Sequence, residues 1–310
     1  MPAAIEVRRL VKNYDTLAAV DGIDFTVASG SVFAFLGPNG AGKTTTVEIL
    51  EGLRRATSGD VRVLGKDPWT EGAAIHQVIG VIPQEFRFFE KIHPAEAIGY
   101  YATLFGVDAN VPQLLERVAL TDKADSRFDT LSGGQKQKLG LALALVNNPK
   151  ICFLDEPTTG LDPQARRGIW DVIRQLKSEG RTVFLTTHYL EEAELLADHV
   201  AIIHRGKIIA EGTPAQIIAD HGAADRLTVE AGPSLASYLT AKLGVAARSV
   251  DGKVVVPLAG KADALRVLQT IEQSGIPWQR FSMDKDTLED VFVALVGEMD
   301  EGEVRTRAAA

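Results

Sequence analysis

The sequence predicts an α/β protein in two parts, a mixed-sheet domain followed by a small α+β module. Three observations carry this expectation. Gly37 to Thr44 match G-x-x-x-x-G-K-[ST], between an apolar strand-like run (Ser31 to Leu36) and a run able to open a helix (Thr45 to Leu50). From Ile79 to Ala210, apolar strand-like runs alternate with helix-compatible ones, the pattern of a sheet with crossover helices. Around His221-Gly222-Ala223 the pattern restarts, and the order βαββαβα that follows matches a split-βαβ, ferredoxin-like module.

Taken in order, Ile5 to Val11 reads as a strand and Lys12 to Asp15, with Tyr14, as a polar turn. Val20 to Val27 reads as a strand with Gly22 as a bulge. Thr57 to Asp60 reads as a turn before a short strand, Val61 to Gly65. These early connections are too short for crossover helices, so the strands are expected to be antiparallel. Ile79 to Ile82 is a buried strand ending at Pro83-Gln84. A helical insertion of about 86–147 follows, with helices over Ala95 to Phe105, Pro112 to Val118 and Lys136 to Asn147. Ile151 to Leu154 is a strand, and Pro163 opens an amphipathic helix with Ile169, Val172, Ile173 and Leu176 on one face. Thr182 to Thr187 is a strand, Leu190 to Ala197 a helix, and His199 to His204 with Lys207 to Ala210 a hairpin. The expected domains are residues 1–222 and 223–298, with a fraying tail over 299–310.

Composition is that of an ordinary globular chain: 310 residues, 45% apolar, 24% charged, net charge −8. Nothing basic enough to serve as a nucleic-acid footprint is present, so no nucleic-acid partner is expected. The one cysteine, Cys152, lies in an apolar strand-like run and reads as core. Glu6, Arg8 and Arg9 interrupt any leader-like apolar stretch, and no apolar run approaches the ~20 residues a membrane-spanning helix needs.

The chemistry gathers in four places. In the P-loop Gly37-Pro38-Asn39-Gly40-Ala41-Gly42-Lys43-Thr44, the glycines let backbone amides approach phosphate oxygens. Lys43 should reach the β- and γ-phosphates, and the Thr44 hydroxyl should ligate Mg²⁺. Asp155 ends an apolar strand, where the second Mg²⁺ ligand of such a site is expected. Glu156 follows it and faces elsewhere, suited to orienting or deprotonating water. Leu131-Ser132-Gly133-Gly134-Gln135 places a hydroxyl and two glycine amides at a helix start, either a second anion site or an ordinary helix cap. A second phosphate-reading loop far from the first suggests two copies sharing nucleotide.

Together these residues resemble the ATP-binding subunit of ABC transporters, from about Ile5 to Ile218 and with every motif in the family's order. The resemblance implies a P-loop ABC-type ATPase core with a mixed sheet, an antiparallel β subdomain and a helical insertion. It identifies Gly37 to Thr44 as Walker A, with Thr45 beside it, Gln84 as the Q-loop and Leu131 to Gln135 as the signature. Ile151 to Asp155 is Walker B, Glu156 the catalytic carboxylate, Leu161-Asp162 the D-loop and His188 the switch histidine. Tyr14 matches the aromatic that stacks on adenine. Gln84 is implied near the metal, and Ser132 and Gly134 would read the γ-phosphate of a partner's ATP. The implied assembly is a head-to-tail dimer, homomeric or heteromeric, with two ATP molecules between the subunits.

A separate membrane permease is implied at the cytoplasmic face of the membrane, docking on the insertion just after Gln84. Phe86, Phe88, Phe89, Tyr100 and Tyr101 make that stretch aromatic, either as docking surface or as the insertion's own core. Thr287 to Phe292 is similar to the closing motif of drug-resistance, polysaccharide and lipid exporters, the daunorubicin-resistance type above all. The last module then reads as a regulatory or dimer-stabilising appendage. The alternative to an exporter is an ABC ATPase regulating a membrane or cell-envelope complex. A DNA- or ribosome-acting relative is disfavoured, because Gln84 to Ser132 leaves no room for a coiled-coil arm. A P-loop kinase or GTPase leaves Leu131 to Gln135 unexplained.

Overall fold

The structure is a computed structural model that describes residues 2–84, 86–222, 226–250, 252–258 and 261–308. The chain divides into two compact units, Met1–Pro214 and Ala215–Ala310. The sequence places the break after Gly222, in a stretch whose Ala223 lies outside the described residues. The observed division falls at Pro214, immediately after the last strand of the first unit.

The first unit opens with strands β1 (Ala3–Tyr14) and β2 (Leu17–Ala28). Leu10 pairs with Ile23 and Val11 with Asp21, so Gly22, at φ 73°, is the expected bulge. Tyr14 is not in a turn: it is the last residue of β1 and pairs with Leu17, with Asp15 and Thr16 turning the chain. β3 (Val32–Leu36) leads through the P-loop into α1 (Lys43–Leu50). β4 (Ser58–Val63) begins earlier than expected, since Ser58, Gly59 and Asp60 are strand and not turn. Glycine is needed at position 59 because φ is +98° and a Cβ there would stand 2.4 Å from the Arg9 carbonyl oxygen. β4 joins β1 and β2 in an antiparallel sheet of order β2-β1-β4.

A short helix α2 (Gly72–His76) precedes β5 (Ile79–Ile82). The insertion follows as α3 (Pro94–Phe105), α4 (Val111–Arg117) and α5 (Gly133–Ala144). Then come β6 (Ile151–Asp155), α6 (Pro163–Ser178), β7 (Thr182–Thr187), α7 (Leu190–Leu196), β8 (His199–His204) and β9 (Lys207–Gly212). The main sheet has the order β5-β6-β7-β3-β8-β9, parallel except for the last pair.

The period-2 alternation of strands divides the interior into two cores. On β6 and β7, Cys152, Leu154, Val183 and Leu185 face the helical insertion, while Ile151, Phe153 and Phe184 face the antiparallel sheet. On that second side Phe25 and Phe184 each lie 5.4–6.1 Å, between ring centres, from Phe33 and Phe35 and from one another, in stacked and tilted pairs. Burying each such ring contributes about 2–3 kcal/mol. Cys152 is fully buried and its thiol is pushed up to about 12 by burial, as befits a core residue. The predicted face of α6 is buried, and Trp170, unmarked in the sequence, is buried with it.

The second unit contains α8 (Pro214–His221), whose first residue lies at the division, then β10 (Arg226–Ala231), α9 (Pro233–Leu243), β11 (Arg248–Val250), β12 (Lys253–Pro257), α10 (Lys261–Ser274), β13 (Trp278–Asp284) and α11 (Leu288–Ala308). The all-antiparallel order β11-β12-β10-β13 is the ferredoxin-like arrangement the element order predicts. β11 is short, and Asp251, which follows it, lies outside the described residues. Thr287 and Asp290 cap α11 reciprocally: Thr287 donates to the Asp290 carboxylate, and its own hydroxyl accepts from Asp290 N–H. α11 continues to Ala308, so it takes in the described residues of the 299–310 stretch.

Candidate nucleotide-binding and hydrolytic site

The main sheet brings the site together at one edge. β5, β6, β7 and β3 are parallel neighbours, so Gln84, Asp155, His188 and the P-loop all follow their carboxyl ends, where open α/β sheets bind ligands.

The P-loop wraps closely against its surroundings. Gly42 has φ 111°, and a Cβ on it would lie 2.4 Å from the Ala19 carbonyl oxygen; one on Gly37 would lie 2.3 Å from that of Ile203. No side chain fits either place. The loop lines a cavity of about 530 Å³ with Tyr14, Asn39, Gly40, Thr44, Thr45 and Gln84 among its walls. That volume lies within the range of small-molecule sites. Lys43 turns inward, donating to the Gly37 carbonyl at 2.7 Å and the Pro38 carbonyl at 3.2 Å. Burial lowers its pKa, while Glu156 and Asp155 act against that shift.

Glu156 is the hub. Its Oε2 accepts from Gln84 Nε2 at 3.2 Å, Thr159 Oγ1 at 3.1 Å and His188 Nδ1 at 3.0 Å. Lys43 Nζ lies 3.9 Å from Oε1. Both Lys43 and Glu156 are 6% exposed, so their attraction is weakly screened. The Glu156 backbone has φ 48°, unusual for a non-glycine residue. Its N–H is held by the Thr186 carbonyl and hydroxyl oxygens, both at 3.0 Å. The same hydroxyl donates to Asp155 Oδ1. Burial raises the Asp155 pKa; the Thr186 bond opposes that shift and Glu156 adds to it.

No motif in the sequence singles out Thr186 or Thr159. Thr186 is one of two threonines ending β7 and carries no motif signal; Thr159 lies three residues past Glu156 in a loop whose fold decides its direction.

Tyr14 stands at the cavity wall with Lys12 Nζ 5.1 Å and the Arg54 guanidinium 5.3 Å from its ring centre. Ser132 to Gln135 are not among the residues lining the cavity. Here they form a capping box: Ser132 Oγ accepts from Gln135 N–H at 3.3 Å and Gln135 Oε1 from Ser132 N–H at 2.9 Å. Gly133 and Gly134 open α5, and a Cβ on Gly134 would lie 2.7 Å from Ala165 Cβ of α6. Asp162 caps α6, accepting from Gln164 N–H at 3.0 Å and Ala165 N–H at 2.9 Å. The aromatic stretch divides in its role. Phe86, Phe88 and Tyr101 pack against the insertion's core, whereas Phe89 and Tyr100 are exposed.

This arrangement of phosphate loop, buried acidic strand end and convergent carboxylate defines a P-loop nucleotide hydrolase. The ABC transporter family model matches residues 20–159. The daunorubicin resistance ATP-binding protein DrrA3 of Streptomyces coeruleorubidus is 37% identical, covering 95% of this chain and 96% of its own. The Nod factor export ATP-binding protein I of Paraburkholderia xenovorans is 42% identical over 73% of this chain and 76% of its own. Among solved structures, the ATP-binding subunit of an ABC transporter matches with TM-score 0.65 and 28% identity, over 71% of this chain and 93% of that one. A dimeric bacterial ABC transporter cassette matches with TM-score 0.61 and 25% identity, over 67% and 98%. The chain belongs to the ABC transporter ATP-binding proteins, and it binds nucleotide and hydrolyses ATP. Among the described residues no helix is long and apolar enough to cross a membrane.

Proposed function

We propose that this chain powers an exporter. Two copies, alike or paired with a related subunit, close head to tail over two ATP molecules with Mg²⁺. The closure is passed to a separate permease at the cytoplasmic face of the membrane. The observation that carries the catalytic part is the convergence of Gln84, Thr159 and His188 on one oxygen of Glu156. The export direction rests on the names of the relatives, which act in drug resistance and Nod factor export. A drug-like, lipid or polysaccharide cargo follows from the same likeness.

The donor set suits a hard divalent cation: a buried Asp155 carboxylate, the exposed Thr44 hydroxyl and the Gln84 amide oxygen. When bound there, Mg²⁺ supplies Lewis-acid stabilisation of phosphate charge.

The chain's own residues do the rest. Lys43 exchanges its loop carbonyls for the β- and γ-phosphates, and Tyr14 stacks on the adenine. Glu156 polarises the attacking water and takes up its proton. Gln84 and His188 hold that carboxylate in one orientation, and His188 also contacts the γ-phosphate. Ser132 to Gln135 of the other copy read the same γ-phosphate, with Asp162 holding the start of α6 behind them. Loss of that phosphate removes the shared ligand, and the dimer loosens. The second unit stabilises the dimer or regulates it.

Purification of the chain from its own membranes tests the reading. A polytopic membrane protein that co-purifies and moves cargo on ATP addition supports export. A cell-wall or division complex without transport indicates the regulator, and no membrane partner removes the reading.

A further inference from the structure

Glu192 is a buried carboxyl outside the nucleotide cavity, and no role described above employs it. It lies in the first turn of α7 and is 0% exposed. A glutamate three residues past a helix cap ordinarily reaches back to the cap's N–H. Here the cap is Tyr189, whose N–H donates to Thr187 Oγ1 at 2.9 Å, and Glu192 turns inward instead. Its Oε1 accepts from Trp170 Nε1 of α6 at 2.8 Å and its Oε2 from Thr158 Oγ1 at 3.2 Å. The Thr187 hydroxyl also donates to this carboxylate. Burial pushes the carboxyl's pKa up, while those three bonds and the Arg166 charge act the other way.

Two of the three donors belong to the segments that carry Glu156 and His188. Thr158 is fully buried, and the next residue, Thr159, donates to Glu156 Oε2 at 3.1 Å. Thr187 precedes His188, and its bond from Tyr189 N–H closes a hydroxyl-capped turn around the histidine. Beside that turn the Arg166 guanidinium lies 4.2 Å from the Tyr189 ring centre, and the Tyr189 and His188 rings are 4.2 Å apart between centres. One carboxylate therefore joins the loop after Glu156 to the turn that holds His188. Stability does not demand such a group, since apolar packing often replaces a buried charge without loss. An apolar side chain cannot join two polar segments in one geometry.

We propose that Glu192 is a positioning residue for hydrolysis: through Thr158 and Thr187, its carboxylate sets the distance and angle at which His188 meets Glu156. This rests on the reading above that Glu156 polarises the attacking water. Glu192 does not line the cavity, so it acts only through those residues. A misplacement of about 1 Å can cost roughly 10²-fold in rate. ATP binding draws on the P-loop and Tyr14, to which this carboxylate makes no bond.

The test compares steady-state hydrolysis with equilibrium ATP binding in the full-length chain. Glu192→Leu keeps the volume and removes the acceptors. Its kcat should fall about 10- to 100-fold, with Kd for ATP within about twofold of wild type. Glu192→Gln should recover most of that turnover, because its amide oxygen can serve Trp170 while the two hydroxyls turn to accept from its N–H groups. Thr158→Val and Thr187→Val should each slow kcat alone, and neither should slow it further in the Glu192→Leu background. Trp170→Phe deletes the third bond, which reaches neither segment. It should lower the denaturation midpoint at least as much as Thr158→Val while costing far less turnover.

Wild-type kcat in Glu192→Leu overturns the proposal. So do additive effects of the threonine variants, a Glu192→Gln as slow as Glu192→Leu, or an equal loss of kcat in Trp170→Phe. If Glu192→Leu does not fold, the contrast between the threonine variants and Trp170→Phe decides. Glu156→Gln judges the wider reading separately. Near-wild-type turnover there sinks the role of Glu156 itself, whereas a slow Glu156→Gln beside unimpaired Glu192 and threonine variants sinks only this proposal.

Discussion

His188 Nδ1 and Glu156 Oε2 stand 3.0 Å apart, across two neighbouring strands of the parallel sheet. The carboxyl oxygen accepts here, so the contact is made with the imidazole proton on Nδ1. Gln84 and Thr159 hold the same oxygen, which leaves Oε1 as the freer one, with Lys43 Nζ 3.9 Å from it. The carboxylate is fixed in orientation before any water arrives.

Glu156→Gln removes the proton acceptor and keeps the shape. Turnover should fall by about 10²–10⁴, the usual contribution of a positioned general base. ATP affinity should remain near wild type, and a nucleotide-bound dimer should accumulate on size-exclusion chromatography. Near-wild-type steady-state hydrolysis would remove Glu156 from this role.

On the proposed role of Lys43, Lys43→Ala deletes a charge-assisted contact to phosphate. Such bonds contribute about 1.5–3 kcal/mol, so the dissociation constant for ATP should rise roughly 10- to 100-fold. Equilibrium titration with a fluorescent ATP analogue measures it. Unchanged affinity would mean that Lys43 stays with the Gly37 and Pro38 carbonyls in the bound state.

Gly134→Val adds a side chain where the first carbon alone would lie 2.7 Å from Ala165 Cβ. The start of α5 must shift against α6. If the signature loop serves the partner's ATP, hydrolysis should drop at least about tenfold while single-chain ATP binding stays within twofold. A parallel loss of binding would place the loop in the same chain's site, against the head-to-tail arrangement.

Glu51 makes stability depend on pH. Its carboxyl is raised from 4.5 to about 8 in the folded protein, chiefly by burial. Between those values the folded state keeps a proton that the unfolded state has released, so stability falls as pH rises through that window. Glu51→Gln has no such proton. Its advantage over wild type in chemical denaturation should be small near pH 4.5 and grow by a few kcal/mol, as an order of magnitude, by about pH 8.5. A constant difference across that range would contradict an unpaired buried carboxyl.

Local signals made much of the fold legible. The P-loop is announced by its spacing, and the helix after Asp162 by a first-turn proline and a clean apolar face. The βαββαβα order sufficed for the second unit because short connections leave few topologies. Misreadings came where a local rule was overridden by long-range pairing. Ser58-Gly59-Asp60 has turn composition, yet pairing with β1 makes it strand, and the glycine serves a close approach to Arg9. Tyr14 looked like a turn residue because its partner Leu17 is recognisable only once the hairpin is formed.

By itself the sequence determined where the candidate groups stand: Lys43, Thr44, Asp155 and Glu156 are carried by motifs whose spacing is their geometry. Tertiary structure alone decided what surrounds them. Gln84 and His188 lie 72 and 32 positions from Glu156, and only the lateral order β5-β6-β7 brings all three to one edge. Thr186, on a strand beside β6, acquires its hold on Asp155 and Glu156 in the same way. Whether a buried carboxyl finds a partner is equally a property of the packed chain, since pairing depends on what the fold sets opposite it. Glu51 has ordinary helix-end chemistry in sequence, and only burial among Ile79, Tyr101 and Leu143 makes it an acceptor without a donor.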